Sequence, residues 1–309
     1  MIMIRSIPFP ISHLRRYCSS RPAKNWYQQY WHRYEKWLEQ YPRVYAYHRL
    51  MIDGTRHCFS DLKTYRRVSS EIRSGKELDA ISRQDLEVYV LTSRDIVKIV
   101  TVIVFMLMPP PIAELYFVLM LCFPRLLLTR HFWSPEQAGK YRALFFQRKL
   151  RRRIRIAEGL VAEMIKRNEQ EAATLSEALL SSKSKLLPLS DLRRHAQAIS
   201  RIRLDSLPFT HLYHLLSAHG MWPGIPFYTD RLRQEAEVIR AIDRKLAKDG
   251  VHDMSPADLD QTLYVHKLDA AGLSQDAKRE LLEEWILVTK SCNSDSFILH
   301  ASILGRKEV

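Results

Sequence analysis

The stretch that decides the fold is IVKIVTVIVFMLMPPPIAELYFVLMLCFPRLLL, residues 96–128. A helix that crosses a bilayer needs roughly 20 predominantly apolar residues, and this run is longer than that. No other part of the sequence is as apolar over such a length. We therefore predict that residues 96–128 form a transmembrane segment. Two alternatives stay open, a buried core helix of a soluble protein and a re-entrant hairpin.

The middle of this run is interrupted by Pro109, Pro110 and Pro111, and Glu114 follows within one turn. Proline lacks a backbone N–H and clashes with the preceding turn, so the helix is predicted to kink or break here. A carboxylate in hydrocarbon costs at least about 2.5 kcal/mol on insertion scales. Glu114 therefore needs a partner, a proton or water, and the three prolines and Glu114 become candidate functional residues within the membrane.

The composition indicates a folded, helical and strongly basic protein. Of the 309 residues, 46% are hydrophobic and 27% charged, which excludes global disorder, and only nine are glycine. Little β-branched alternation occurs, so we predict an all-α protein with one proline-kinked transmembrane helix and a soluble helical domain. The formal net charge of +14 favours anionic partners such as nucleic acid, a ribosome or anionic lipid.

The rest of the chain divides into three predicted regions. Residues 1–24 contain arginines and serines but no acidic residue, which is typical of a mitochondrial presequence, although an ordinary basic tail is the alternative. Residues 25–95 form an N-terminal helical region. Its aromatic-dense part, 25–40, is predicted either to lie on a membrane surface or to pack under the soluble part. Residues 129–309 form the soluble helical domain.

Capping residues mark where several helices of these regions begin. Ser134, Pro135 and Gln137 form a capping box with proline at the first helical position. Ser82 opens the helix that leads into the apolar run. The last strong amphipathic pattern covers 275–290.

A cluster of basic residues lies on the helix predicted after Ser134, and it supplies the candidate binding residues. They are Arg148, Lys149, Arg151, Arg152, Arg153 and Arg155. Because they are nearly consecutive, they cannot share one helix face. They indicate a contact with a phosphate backbone, a positive flank that fixes membrane orientation, or a solvated helix surface.

Motifs for catalysis and for metal binding were not found in the sequence. There is no P-loop, GxSxG, HExxH or EF-hand loop. The four cysteines lack metal-ligand spacing, and His211, His214 and His219 have no nearby carboxylate or thiol that would complete a ligand set. We predict no enzymatic activity, no metal site and no cofactor.

The sequence resembles the LETM-domain family, the leucine-zipper/EF-hand transmembrane proteins of the mitochondrial inner membrane. The resemblance rests first on the proline-interrupted apolar run with an acidic residue, followed by FPRLLLTRHFWSPEQ, 123–137. It continues through 230–286, where Gly250-Val251, Met254-Ser255 and Glu284-Trp285-Ile286 match the family's paired helices. The chain is most similar to the shorter branch, because neither a coiled coil nor an EF-hand tail follows the helices.

This resemblance implies a single-pass inner-membrane protein whose C-terminal helical domain faces the matrix, is similar to 14-3-3 proteins and binds the mitochondrial ribosome. It also implies contact with inner-membrane lipids and roles in respiratory-chain biogenesis and mitochondrial structure. The alternative that it leaves open is a cation/proton antiporter, or a subunit of one, that uses Glu114. Because a single span cannot enclose a pathway, that alternative requires a homo-oligomer.

Overall fold

The computed structural model describes residues 32–33, 36–37, 39–106, 108–167, 169–182 and 185–305. Within these ranges the regular structure is helical, apart from one isolated parallel bridge between Leu187 and Leu304. The all-α prediction is therefore confirmed for this part of the chain. The predicted presequence, 1–24, and most of the aromatic-dense stretch, 25–40, lie outside the described residues, and the likeness to 14-3-3 proteins stays a prediction.

In the part of the chain that the structure describes, the α-helices follow one another through short connections and three 3₁₀ turns. The 3₁₀ turns cover Leu78–Ala80, Arg130–Phe132 and Leu204–Ser206. The α-helices are α1 (Pro42–Arg73), α2 (Arg83–Met106), α3 (Pro110–Cys122), α4 (Pro124–Leu127), α5 (Pro135–Lys166), α6 (Ala172–Ser181), α7 (Leu189–Arg194), α8 (Ala196–Ser200), α9 (Phe209–Ala218), α10 (Tyr228–Asp249), α11 (Pro256–Val265), α12 (Gln275–Thr289) and α13 (Ser294–Ile303).

The predicted capping box at the start of α5 is confirmed. The hydroxyl of Ser134 accepts a hydrogen bond from the backbone N–H of Gln137 at 3.2 Å, and the Gln137 side chain accepts one from the Ser134 N–H at 3.1 Å. Two backbone donors that the first turn would leave unpaired are thus satisfied. The helix begins at Pro135. The missing N–H of proline costs no hydrogen bond at this position, because an N–H there would have no intrahelical acceptor.

The core is formed by long helices that pack around the buried C-terminal helix α13. Helix α5 contacts α9 and α13, and α10 contacts α13 and α2. Trp285 of α12 and Phe297 of α13 are both fully buried, and their rings meet edge to face at 5.6 Å. Large aromatic groups of this kind contribute much of the apolar area that stabilises a helical core.

The core also includes residues that precede the apolar run. Val68 of α1 and Leu86 and Val90 of α2 belong to the same buried cluster as Leu160 of α5. The helical core therefore includes residues on both sides of the apolar run. By their contacts, the helices separate into two compact units, one up to Ile52 and one from Asp53 to Val309.

The apolar run does not form one kinked helix. Helix α2 ends at Met106, and α3 begins at Pro110, so the predicted break at the prolines is confirmed and is complete. Phe123 and Pro124 then divide α3 from the short helix α4. Within the described part of the chain, no helix combines the length and the hydropathy that a bilayer crossing requires. The prediction of a single proline-kinked transmembrane helix is therefore not confirmed.

Candidate functional site: an apolar hairpin and a basic cleft

Residues 96–128 fold back on themselves as a helical hairpin, which we call the apolar hairpin. Near its tip, the rings of Phe105 on α2 and Tyr116 on α3 stack at 4.3 Å. At its base, the Lys98 ammonium donates hydrogen bonds to the carbonyl oxygens of Arg125 at 3.0 Å and Leu128 at 3.3 Å. The two ends of the run therefore lie side by side, as in the re-entrant alternative.

None of the fully exposed described side chains of the apolar hairpin is charged, and Lys98 and Arg125 are half-buried at its base. Its large exposed side chains are Val97, Val100, Ile103, Val104, Met108, Ile112, Leu115, Val118, Leu119, Phe123 and Leu126. Soluble monomers rarely expose a continuous apolar surface, and such patches mark contacts with lipid or with another protein. The hairpin is therefore a candidate for a contact of this kind.

Ion pairs fix the base of the apolar hairpin to the helical body. The Arg130 guanidinium donates to the carboxylates of Asp95, at 2.7 Å, and Asp61. His131 also contacts Asp61, with 2.8 Å between its Nε2 and a carboxylate oxygen. Although burial alone would raise the pKa of Asp61, these hydrogen bonds and the Arg130 charge lower it, so the carboxylate is ionised at neutral pH.

The six basic residues predicted as a binding site are divided among three environments around α5. Arg148, Arg151 and Arg155 are exposed, and their spacing of three and four residues places them in one row. We call this set the arginine row. Lys149 and Arg152 are half-buried and face a cleft described below.

Arg153 is buried, which corrects its prediction as a binding residue. Its guanidinium donates to the carbonyl oxygens of Ser302 at 2.9 Å, Ala301 at 3.1 Å and Leu304. These carbonyls lie at the C-terminal end of α13, where the helix leaves its acceptors unpaired and favours a positive charge. Burial lowers the pKa of Arg153 to about 10, so it stays charged at neutral pH.

Beside α5 lies a cleft of about 660 Å³, which we call the basic cleft. It runs between α2, α5, the loop after α9, and α10. Its charged lining residues are Arg94, Lys98, Lys149, Arg152, Arg231 and Glu235. Five of these six residues are cationic, although the Lys98 ammonium is bonded to carbonyl oxygens at the base of the hairpin, so positive charge prevails in the cleft.

A buried ion pair forms the floor of the basic cleft. Arg94 of α2 pairs with Glu235 of α10, and His219 Nδ1 lies 3.7 Å from the same carboxylate. Burial disfavours the Glu235 carboxylate, but the Arg94 charge and the His219 contact outweigh it and hold the pKa of Glu235 well below its usual range. Breaking such a pair would leave one buried charge without compensation, so the pair resists disruption.

The other predicted site residues are placed only in part. Pro109 is exposed at the tip of the apolar hairpin, and Pro110 and Pro111 begin α3. Glu114 lies on α3, but its side chain is outside the described part of the structure. The cation/proton exchange hypothesis therefore stays a prediction.

The described residues contain no group of three His, Cys, Asp or Glu side chains that could hold a metal ion. Of the three histidines considered, His211 packs against Gly159, where a Cβ atom would come within 2.5 Å of its ring. Burial, and secondarily the neighbouring His214, lower the pKa of His211 to about 4, so it is a neutral core residue at physiological pH.

Comparison with known proteins supports the resemblance. The family profile described as LETM1-like, RBD, which denotes the ribosome-binding domain, matches residues 81–304. The chain is 24% identical over 283 residues to LETM1 domain-containing protein 1 of Xenopus tropicalis, with 88% of this chain and 80% of that protein covered. The proteins of the same name from Bos taurus and Homo sapiens are 24% and 23% identical over 291 residues, covering 88% of this chain and 78% of each relative.

The fold and the site thus define an all-helical, basic domain that carries an exposed apolar hairpin. The profile covers well over half of the chain, from the start of α2 to the end of α13. The chain belongs to the LETM1-like ribosome-binding domain family.

Proposed function

We propose that this protein binds the mitochondrial ribosome and holds it at the inner membrane. In this role its helical body faces the matrix and supports respiratory-chain biogenesis and mitochondrial structure. The proposal is supported by the ribosome-binding domain that the family match assigns to residues 81–304. It is also supported by the net charge of +14, which suits a partner rich in phosphate.

The arginine row on α5 is the main observation in support of ribosome binding. Arg148, Arg151 and Arg155 project from one side of a long helix. None of them forms an ion pair with a described residue. Guanidinium groups bind phosphate oxygens through two parallel hydrogen bonds, so a row of three suits a ribosomal RNA backbone. Arg153 is no longer in the proposed set, and Lys149 and Arg152 belong to the basic cleft.

For the membrane part, we propose that the apolar hairpin inserts into the inner membrane from the matrix side. Helix α3 has 13 residues, which span about 20 Å, compared with roughly 30 Å for the hydrocarbon core. The hairpin therefore suits insertion to part of the bilayer depth, with both ends at the same surface. We propose this geometry in place of the single-pass arrangement expected from the sequence.

Sedimentation of the full chain with purified mitochondrial ribosomes tests the ribosome part. In neutral detergent at low salt, we expect the wild-type protein to pellet with ribosomes and to be released steeply as salt rises, because phosphate contacts release counterions. The variant R148E/R151E/R155E should lose binding. The matched control R193E/R194E/K290E changes the charge equally at exposed positions and should keep it. Equal binding by wild type and the α5 variant, or no wild-type binding at low salt, would contradict the proposal.

A further inference from the structure

The basic cleft contains more positive charge than the protein itself compensates. Arg94, Lys98, Lys149, Arg152 and Arg231 line it, and Glu235 is its acidic lining residue. Cations held together in a partly buried space repel one another, since the local dielectric constant is below that of water. A bound anion would remove this repulsion, so the cleft has the charge of a binding site for an anionic ligand.

Arg94 has hydrogen-bond donors that the protein leaves unpaired at the floor of the cleft. Its side chain is only 8% exposed, and one of its terminal nitrogens contacts Glu235. Its Nε and its other terminal nitrogen, Nη1, are buried without a hydrogen-bond partner in the described part of the chain. Buried donors without a partner cost free energy, and the guanidinium fork matches the oxygens of a phosphate group.

Lys149 on the opposite wall shows the same excess of charge. Its ammonium donates a hydrogen bond to the Ser217 hydroxyl at 2.8 Å. Burial, followed by the positive charges of Arg152 and Arg125, lowers the pKa of Lys149 to about 8. An anion between Lys149 and Arg152 would stabilise both charged side chains.

The uncharged lining of the cleft indicates that the ligand also has an apolar part. Ile96 and Val97 belong to the base of the apolar hairpin, and Met221, Trp222 and Ile225 come from the loop after α9. Trp222 is 58% exposed, although indole rings normally prefer at least partial burial. Trp is enriched where an apolar phase meets water, as at a lipid headgroup layer.

We propose that the basic cleft binds the phosphate headgroup of an anionic phospholipid whose acyl chains lie along the apolar hairpin. The proposal rests on the membrane part of the proposed function. The volume of about 660 Å³ is within the usual range for small-molecule pockets. An RNA backbone fits this cleft less well, because the cleft opens beside the hairpin and has apolar walls, whereas the arginine row offers RNA an exposed surface.

A titration with a soluble short-chain lipid tests the proposal separately from membrane insertion and ribosome binding. The full chain is kept in neutral detergent, and binding of dioctanoyl phosphatidylglycerol is measured by calorimetry and by Trp fluorescence. We expect one saturable site. The variant K149Q/R152Q should weaken binding about tenfold or more, because it removes two charged hydrogen-bond donors. The control R148Q/R151Q removes the same charge from the same helix and should change the affinity by less than about twofold.

Three further ligands test whether the cleft prefers an anionic lipid to a neutral lipid, to free phosphate and to RNA. Dioctanoyl phosphatidylcholine, with the same chains and no net charge, should bind much more weakly. Inorganic phosphate that binds as tightly as the anionic lipid, or a short RNA that displaces the lipid, would overturn the lipid assignment. Equal losses in the two glutamine variants would also overturn it, since they would indicate unspecific attraction. Ribosome binding depends on the arginine row and is measured separately, so failure of one proposal does not imply failure of the other.

Discussion

Replacing Arg153 with alanine is expected to lower the free energy of unfolding by about 3 kcal/mol or more. The substitution leaves the carbonyl oxygens of Ala301, Ser302 and Leu304 without their donor. It also leaves a cavity in a site where Arg153 is only 6% exposed. Urea unfolding of the full chain in neutral detergent, followed by Trp fluorescence, measures the change.

The neighbouring Arg151 provides the matched control for this prediction. It is exposed on the same helix, so R151A should change the free energy of unfolding by less than about 0.5 kcal/mol. The variant R153K should fall between the two, because lysine keeps the charge but lacks the planar arrangement of donors. A destabilisation by R153A no larger than that by R151A would show that Arg153 does not anchor α13.

Two lysines in the apolar hairpin are expected to release the protein from membranes. Val100 and Leu115 are both exposed, the latter by 61%, so V100K/L115K should leave the protein's own packing intact. Each lysine in hydrocarbon costs up to about 2.5–3.5 kcal/mol, so the pair weakens insertion by up to about 5–7 kcal/mol. Extraction of mitochondrial membranes with alkaline carbonate should leave the wild-type protein in the pellet and move the variant to the supernatant.

Exposed leucines elsewhere control for a general effect of added charge. Leu180 on α6 and Leu287 on α12 are 75% and 71% exposed. The variant L180K/L287K adds the same charge outside the hairpin and should stay in the membrane pellet. The proposal that the hairpin inserts into lipid would be wrong if V100K/L115K also stayed there.

Local sequence signals predicted several helix boundaries because the physical cause is itself local. The capping box at Ser134 and Gln137 and the break at Pro109 each depend on residues within one turn. Helix α13 was missed: the last predicted helix was 275–290. In α13, the residues from Ser296 to Ile303 are all buried, so this helix lacks the polar face that produces an amphipathic period.

For the candidate site, the sequence allowed basic residues to be selected by type but did not give their arrangement. The sequence indicated correctly that the basic residues of α5 cannot share one face, yet which of them are accessible depends on distant segments. Arg153 is buried by the end of α13, 149 positions away. Arg94 and Glu235, which form the floor of the basic cleft, are 141 positions apart and were not predicted at all. Contacts at such separations have no periodic or motif signal in a single sequence.

Local sequence signals also could not show whether the apolar run continues in one direction or folds back on itself. The prolines predict a break, but a kinked span and a hairpin both satisfy that pattern. The hairpin results from tertiary contacts, such as the hydrogen bonds from Lys98 to the carbonyl oxygens of Arg125 and Leu128. The sequence left both alternatives open, and the folded contacts distinguish between them.

Flotation of ribosomes with liposomes tests most directly whether this protein joins a ribosome to a membrane. Full-length protein is reconstituted into liposomes of inner-membrane lipid composition, purified mitochondrial ribosomes are added at low salt, and the mixture is centrifuged through a density gradient. We expect ribosomes to rise with the liposomes that carry the wild-type protein and to stay at the bottom with the R148E/R151E/R155E variant. Ribosomes that stay at the bottom with the wild-type protein, while the protein itself floats, would contradict the account.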